Sequence, residues 1–490
     1  MKKIASGIFT LALVTGIALA SPKKGVDRPA PTLTVESGPS SWGPAFSDVY
    51  RLLLSNLRPP NKLFPMRHAY PARIFAGVYL WDTAFIAQVW KPWDARLGEE
   101  ICTAVMEHSI AGRLPHFVSK YDSSQWTQPP VMEWSVWELL QWQPDRAYLE
   151  KYYPVLKDYN RWLYQNRRLP NGLFFWDHPY ESGIDNAPRF STRNEVVTAD
   201  MKHLAAIDLS SYLVRQNRAL AAMARELGNN DDAAAFDAKA NELASLINQY
   251  LWDPETEMYY DLDTNTGKLI KVKTIAGLFP LFAGAATPER AQALAGHAMD
   301  PAEFHTLIPL PSVSRDDSTF EPDMWRGPVW INTAYMVIVG LEDYGYRKEA
   351  AELSWKLVDG VYKTWEQNQR IYEFYDPDRI GIKSLTRKHG NLYKKITLGD
   401  KPRPNFVGWS GLVNTLVVEH LIGLKKENGR FRLEPYFPAA ASGLKARLEL
   451  PADQLEIQFD VASPSLINFE VKSATGEKKF TLASGESREI

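Results

Sequence analysis

The chain has 490 residues, room for two to four domains or one large helical barrel with an appendage, and it carries a sizeable core. Hydrophobic residues make up 45% and charged residues 23%, which excludes global disorder, a collagen-like fibre and a coiled coil. Lys plus Arg number 56 against 58 Asp plus Glu, a net charge of −2, so no overall field gathers a polyanion and nucleic acid is not an expected partner.

The N-terminus reads Met1-Lys2-Lys3, then an apolar run from Ile8 to Leu19, then Ala18-Leu19-Ala20 before Ser21. A charged head, a short apolar stretch and an A-x-A site are the parts of a secretory signal, so residues 1–20 are expected to be removed and the product exported, to the periplasm or beyond. No later segment has 18 uncharged apolar residues in a row, so no membrane span is expected in the mature chain. Cys102 is the single cysteine, which leaves an exported protein without an intramolecular disulfide. Its apolar neighbours Ile101, Ala104 and Val105 read as helix packing.

Residues 21–41, rich in Pro, Ser, Gly and Lys, read as a linker. Helical periodicity follows near 44–57, 81–91, 95–112, 130–142, 145–167, 203–227, 230–251, 273–282, 287–299, 328–344, 346–366 and 409–424. Several adjacent pairs are joined by short turns such as Gly228-Asn229-Asn230-Asp231, the grammar of stacked αα-hairpins. Six such hairpins can close, so the expected fold class is all-α, an (α/α)6 toroid over 42–426. After Leu424 the period drops to two, at Leu444, Ala446, Leu448 and Leu450 and again at Leu455, Ile457, Phe459 and Val461, which predicts a small C-terminal β-domain over 427–490.

No phosphate-cradling glycine loop, no G-x-S-x-G elbow and no H-E-x-x-H pair occurs, so nucleotide, serine-hydrolase and zinc chemistry have no support, and no cofactor or metal is expected. What stands out is aromatic content, 12% with 16 Trp, which suits a sugar site and a core alike. Five aromatic and charged strings lie in long loops or just before helices: Tyr79-Leu80-Trp81-Asp82-Thr83, Trp126 to Pro130, Glu181 to Arg189, Asp323 to Pro328, and Tyr372 to Pro377. Taken singly, each has a plainer role. Asp82 could cap a helix, Asp185 could make an Asx turn, Glu373 could sit in a structural salt bridge, and Arg326 could clamp a loop carboxylate.

Taken together, the strings E-S-G-x-D-N-x-P-R and W-R-G-P-V-W-x-N, with W-D-T and E-x-Y-D-P, resemble the motifs of glycoside hydrolase family 63 and its mannosylglycerate-hydrolase-like relatives, within the wider trehalase and glucoamylase (α/α)6 group. The resemblance spans about 75 to 424. It implies an inverting α-glycosidase of small α-glucosyl or α-mannosyl glycosides or oligosaccharides that needs no cofactor, with Asp185 as general acid and Glu373 as general base. It further implies a substrate-binding set of Tyr79, Trp81, Asp82, Gln128, Asn186, Arg189, Trp325, Arg326, Tyr375 and Trp409. Two other classes remain beside it: a non-catalytic periplasmic carbohydrate-binding protein, and a polysaccharide lyase on the same toroid. From Arg379 to Arg403 eight basic residues face one acid, Asp400; the run reads either as a solvated charged loop or as the rim of a leaving-group site that favours an anionic aglycone.

Overall fold

The structure is a computed structural model that describes residues 26, 28–190, 200–387, 392–427 and 429–490. The expected signal at 1–20 lies outside the described residues. Helices dominate up to residue 422. They are α1 (Trp42–Asn56), α2 (Leu80–Met106), α3 (Met132–Trp142), α4 (Arg146–Asn166), α5 (Pro179–Ser182), α6 (Ile207–Glu226), α7 (Asn230–Tyr250), α8 (Phe279–Ala283), α9 (Pro288–Met299), α10 (Ile331–Asp343), α11 (Arg347–Asn368), α12 (Leu392–Leu398) and α13 (Leu412–Thr415). α13 runs on as a π-helical turn, Leu416–Leu421.

Two kinds of helix follow from two kinds of sequence. α10 is buried at every position from Ile331 to Leu341, the signature of a helix enclosed on all sides. In α7 only Ala233, Phe236, Ala240, Leu243 and Ile247 are buried, a stripe at three- and four-residue spacing, so this helix covers the outside. α7 packs on α6, α3 on α2, and α11 on α10. The turn between α6 and α7 is closed by chemistry visible in the sequence: Gly228 takes φ +78°, and the Asn229 side chain accepts from the Asp232 N–H, capping α7.

The sequence periodicity suggests separate helices at 81–91 and 95–112, where the structure has one bent element. Pro92 withholds a backbone N–H and Asp94 leaves helical geometry at φ −155°, after which its carboxylate accepts from Leu97 N and restarts the helix. Cys102 lies inside α2, buried, and that burial pushes its thiol pKa up.

The C-terminal region is antiparallel sheet. Lys445–Leu450, Leu455–Ser463, Leu466–Ser473 and Gly476–Leu482 pair in chain order, and their alternating residues, among them Leu448, Ile457, Phe459 and Phe469, form its buried face. Part of the expected linker belongs to this sheet. Thr32–Ser37 pairs with Lys445–Leu450 as a fifth strand, because Thr-Leu-Thr-Val-Glu-Ser alternates and its backbone finds the open edge of a strand more than 400 residues away. The segment therefore ties the start of α1 to the C-terminal sheet. Among the described residues no helix is long and apolar enough to cross a membrane.

Candidate active site

Loops at the N-terminal ends of α2, α3, α10 and α13 and the segment Ile371–Asp376 converge on one recess that opens to solvent. Tyr79, Trp81, Asp82, Gln128, Asp185, Trp325, Glu373 and Trp409 all line it. These are eight of the twelve residues singled out from the sequence, and they come from separate loops.

The wall is aromatic. Trp325 stacks on Trp330 with ring centroids 3.7 Å apart and planes 9° off parallel, and Trp330 stacks in turn on Phe374. Trp81 and Trp409 close the group at 5.7 Å, ring edge to ring face. Two close approaches require glycine. Gly183, left-handed at φ +72° where α5 ends, lies under the Trp81 ring, and a Cβ there would sit 2.5 Å from it. At Gly408 a Cβ would come within 2.7 Å of the Asp82 carboxylate.

Asp82 is not an N-cap. It lies in the first turn of α2, whose cap position is Tyr79, and the exposed helix N–H groups are met partly by Gln128, whose Oε1 accepts from Trp81 N at 3.1 Å. Burial is the main reason that the Asp82 pKa is pushed up to about 8, with the charge of Glu373 adding to it. His116, also in the wall, is driven down to about 3, chiefly by burial and then by Lys394, so it is neutral.

Both proposed catalytic carboxylates meet a cation. Glu373 pairs with Arg387, itself 1% exposed and set over the Phe374 ring, and its Oε2 also accepts from Arg403 N at 3.2 Å. Its backbone is pinned as well: Trp409 Nε1 donates to the Glu373 carbonyl at 2.7 Å. Asp185 pairs with Lys394, which reaches into the recess from α12 and also lies over the Tyr180 ring. The basic stretch thus splits. Arg387 and Lys394 turn inward to the carboxylates, and Lys401 donates to the carbonyls of Lys383 and Leu385.

Four expected substrate contacts stand behind the wall instead. Arg189, fully buried, is spent on Asp208 and Asp261, with two bonds of 2.7 and 2.8 Å to the latter. Arg326 donates to Glu321 and to the Asn186 carbonyl, so it clamps the loop carboxylate of Glu321. The Asn186 amide is held by Asp323 and by Trp325 N. The Tyr375 hydroxyl accepts from Tyr372 N at 2.9 Å. In each case the side chain bonds other parts of the chain, and these motif positions thereby knit the site loops to one another. Glu181 acts likewise: fully buried, it takes a bidentate pair from Arg167 at 2.6 and 2.9 Å and fastens the Asp185 loop to the end of α4.

Sequence reasoning passed over Phe75, His116, Met324, Trp330, Lys394 and Phe406, which also line the recess. Trp330 and Met324 were within reach, since they belong to the strings W-R-G-P-V-W and Asp323 to Pro328, and Lys394 lies in the basic run 379–403 without being marked out from its neighbours; Phe75, His116 and Phe406 carry no local pattern. Among the described residues no group of three or more His, Cys, Asp or Glu is placed to hold a metal.

An aromatic recess at the ends of enclosed helices, lined by carboxylates from separate loops, suits a sugar, and by its relatives the chain is a glycoside hydrolase. Within that class, residues 76–381 match the family model of the mannosylglycerate hydrolase MGH1-like glycoside hydrolase domain, and the chain belongs to this family. It is 30% identical over 375 residues to the mannosylglycerate hydrolase of Thermus thermophilus, an alignment covering 61% of this chain and 88% of the relative. It is 26% identical over 381 residues to a periplasmic trehalase of Escherichia coli, covering 66% of this chain and 65% of the trehalase. Among solved structures it resembles the GH63 mannosylglycerate hydrolase of Thermus thermophilus in complex with Tris and D-glycerate, with 26% identity, a TM-score of 0.62 and coverage of 76% of this chain and 100% of the other.

Proposed function

We propose that this chain is an inverting α-glycoside hydrolase of small α-glucosyl or α-mannosyl glycosides, built as a six-hairpin (α/α)6 toroid, with Asp185 as general acid and Glu373 as general base. One observation carries the reading: two carboxylates 373 − 185 = 188 positions apart line the same tryptophan-walled recess. In the proposed mechanism Trp81, Trp325 and Trp409 shape the sugar pocket, and Asp82 and Gln128 bond its hydroxyls. Asp185 gives its proton to the glycosidic oxygen while Glu373 takes one from the attacking water. Arg387 and Arg403 N both occupy Oε2 of Glu373, which leaves Oε1 as the oxygen to meet that water.

The aglycone follows from Lys394. Its ammonium stands against Asp185, on the side where the leaving group departs, and is the one cation among the described residues that line the recess. An anionic aglycone would pair with it and draw it off the acid, so a glycosylglycerate is the favoured substrate, in keeping with the D-glycerate held by the Thermus structure. A trehalose-like neutral disaccharide is the second reading, supported by the trehalase relatives. The N-terminal signal pattern and the periplasmic naming of those trehalases support export to the periplasm.

The test is a panel of mannosylglycerate, glucosylglycerate, trehalose and maltose, with NMR of the fresh product. A glycosylglycerate is expected to be cleaved best, with the β-anomer appearing first, and Asp185→Asn and Glu373→Gln are each expected to lower kcat by about 10²-fold or more. A first-formed α-anomer would mean retention; near-normal turnover by either variant would remove the acid–base assignment.

A further inference from the structure

Asp323 does not line the recess, yet both ends of its carboxylate are committed to the machinery behind it. It is 2% exposed and sits in the turn that presents Trp325. On one side its Oδ2 accepts from Asn186 Nδ2 at 3.1 Å, and Asn186 directly follows Asp185. The same amide accepts from Trp325 N at 3.0 Å, so its oxygen and nitrogen are both assigned by their partners. On the other side the Asp323 Oδ1 accepts from the Thr386 hydroxyl at 2.6 Å, and Thr386 directly precedes Arg387, the partner of Glu373.

The backbone repeats the link. Met324 N donates to the Thr386 carbonyl at 3.1 Å and Thr386 N to the Pro322 carbonyl at 2.8 Å. Met324 is held at φ +44°, a left-handed conformation costly for a residue with a side chain, which the surrounding bonds enforce. One buried side chain thereby joins the loop of one catalytic carboxylate to the arm that holds the other.

From this geometry we infer that Asp323 is a positioning residue: it sets the acid loop and the base arm in one frame and so fixes the distance across which the glycosidic bond and its water must fit. The inference rests on the assignment of Asp185 and Glu373 above. Each arm offers a donor, and an ionised carboxylate accepts from both. An Asn amide accepts from Asn186 through its oxygen and can give its own N–H to the Thr386 hydroxyl, which also accepts, so Asn is the conservative variant and Ala the one that cuts both arms.

The experiment separates the arms by leaving group. Fluoride departs from an α-glycosyl fluoride with little help from an acid, so a misaligned acid slows the natural O-glycoside but spares the fluoride, while a misaligned base slows both. Asn186→Ala cuts the acid arm, Thr386→Val removes only the hydroxyl of the base arm, and Asp323→Ala cuts both. Kinetics are measured on the best substrate of the panel and on α-mannosyl and α-glucosyl fluoride, with folding followed by circular dichroism and thermal melting.

Asn186→Ala is expected to lower kcat on the O-glycoside on the order of 10- to 100-fold and on the fluoride less than about threefold, with KM little changed. Thr386→Val is expected to lower kcat on both by similar factors, and Asp323→Ala to fall at least as far as the worse single-arm variant on each substrate. Asp323→Asn should retain more activity than Asp323→Ala. If Asp323→Ala does not fold, the two single-arm variants carry the test. Equal losses on both substrates in Asn186→Ala, or wild-type kcat in folded Asp323→Ala, would overturn the inference. Asp185→Asn and Glu373→Gln run alongside: if either keeps turnover, the catalytic assignment itself has failed, and if both are inactive while the arm pattern is absent, only the role of Asp323 has.

Discussion

At the scale of single residues, the site keeps groups that cost stability. Asp82 is a carboxyl buried among Trp81, Phe406 and Gly408, and with a pKa of about 8 it holds its proton at neutral pH, where the unfolded chain, at about 3.9, has lost it. Below about pH 4 both states are protonated and Asp82 adds no pH dependence; from there to about pH 8 the unfolded state is favoured by up to about 1.4 kcal/mol per pH unit. Asp82→Asn is therefore expected to melt above wild type at about pH 7–8, with the gap closing toward about pH 4, as followed by thermal melting across pH. Asp82→Ala, which removes the contacts with sugar hydroxyls altogether, is expected to lose turnover even on small substrates, the mark of a buried group kept for function at a cost in stability. An Asp82→Asn melting curve parallel to wild type at every pH would show that the carboxyl is ionised in the folded protein.

At the scale of elements, much of the E-S-G-x-D-N-x-P-R string is anchorage. Arg189 fastens the far end of the acid loop to Asp208, in the first turn of α6, and to Asp261, which also accepts from Ile207 N at 2.9 Å. Three charges meet here with the carboxylates at 0% side-chain exposure, so removing the cation leaves two buried anions uncompensated. Arg189→Met is expected to destabilise the protein by about 3–5 kcal/mol, and Arg189→Lys to recover only part of it, since an ammonium cannot serve two carboxylates with the guanidinium's fork. Denaturant unfolding measures this directly. A change below about 1 kcal/mol in Arg189→Met would argue that water replaces the clamp and that Arg189 serves the substrate.

At the scale of the whole molecule, the N-terminal strand adds a tie between the helical body and the C-terminal sheet. Thr32–Ser37 covers the edge of Lys445–Leu450, and the start of α1 lies so close that a Cβ on Gly43 would come 2.7 Å from the Leu33 carbonyl. Deleting residues through Ser40 is expected to lower the melting temperature, to expose 445–490 to early proteolysis and to promote aggregation through the opened edge, while the recess keeps its residues. Limited proteolysis with mass spectrometry gives the order of cleavage; an unchanged digestion pattern would mean that the sheet stands without its fifth strand.

The long helices were legible in the sequence because each needs only its own period, whereas the short α5 and α12, in stretches read as loops, and the union of 81–91 with 95–112 into α2 were not. The enclosed run of α10 and the stripe of α7 declare themselves within a single helix, and the alternation of Leu455, Ile457, Phe459 and Val461 does the same for a strand. The residues that line the recess were legible where they sit in dense aromatic strings, as Trp81, Asp82 and Trp325 do. What tertiary structure alone decided is pairing across distance. Nothing near Thr32 names Glu449 as its partner, nothing near Lys394 names Asp185, and Asp323 has no local mark of the two arms it joins. A motif shows which side chains are present, but not which face the substrate and which are used up on one another. That Asn186, Arg189, Arg326 and Tyr375 bond other parts of the chain and do not line the recess could not be read from their strings: a buried polar atom must find a partner, and in a folded chain that partner is set by the packing of segments far apart in sequence.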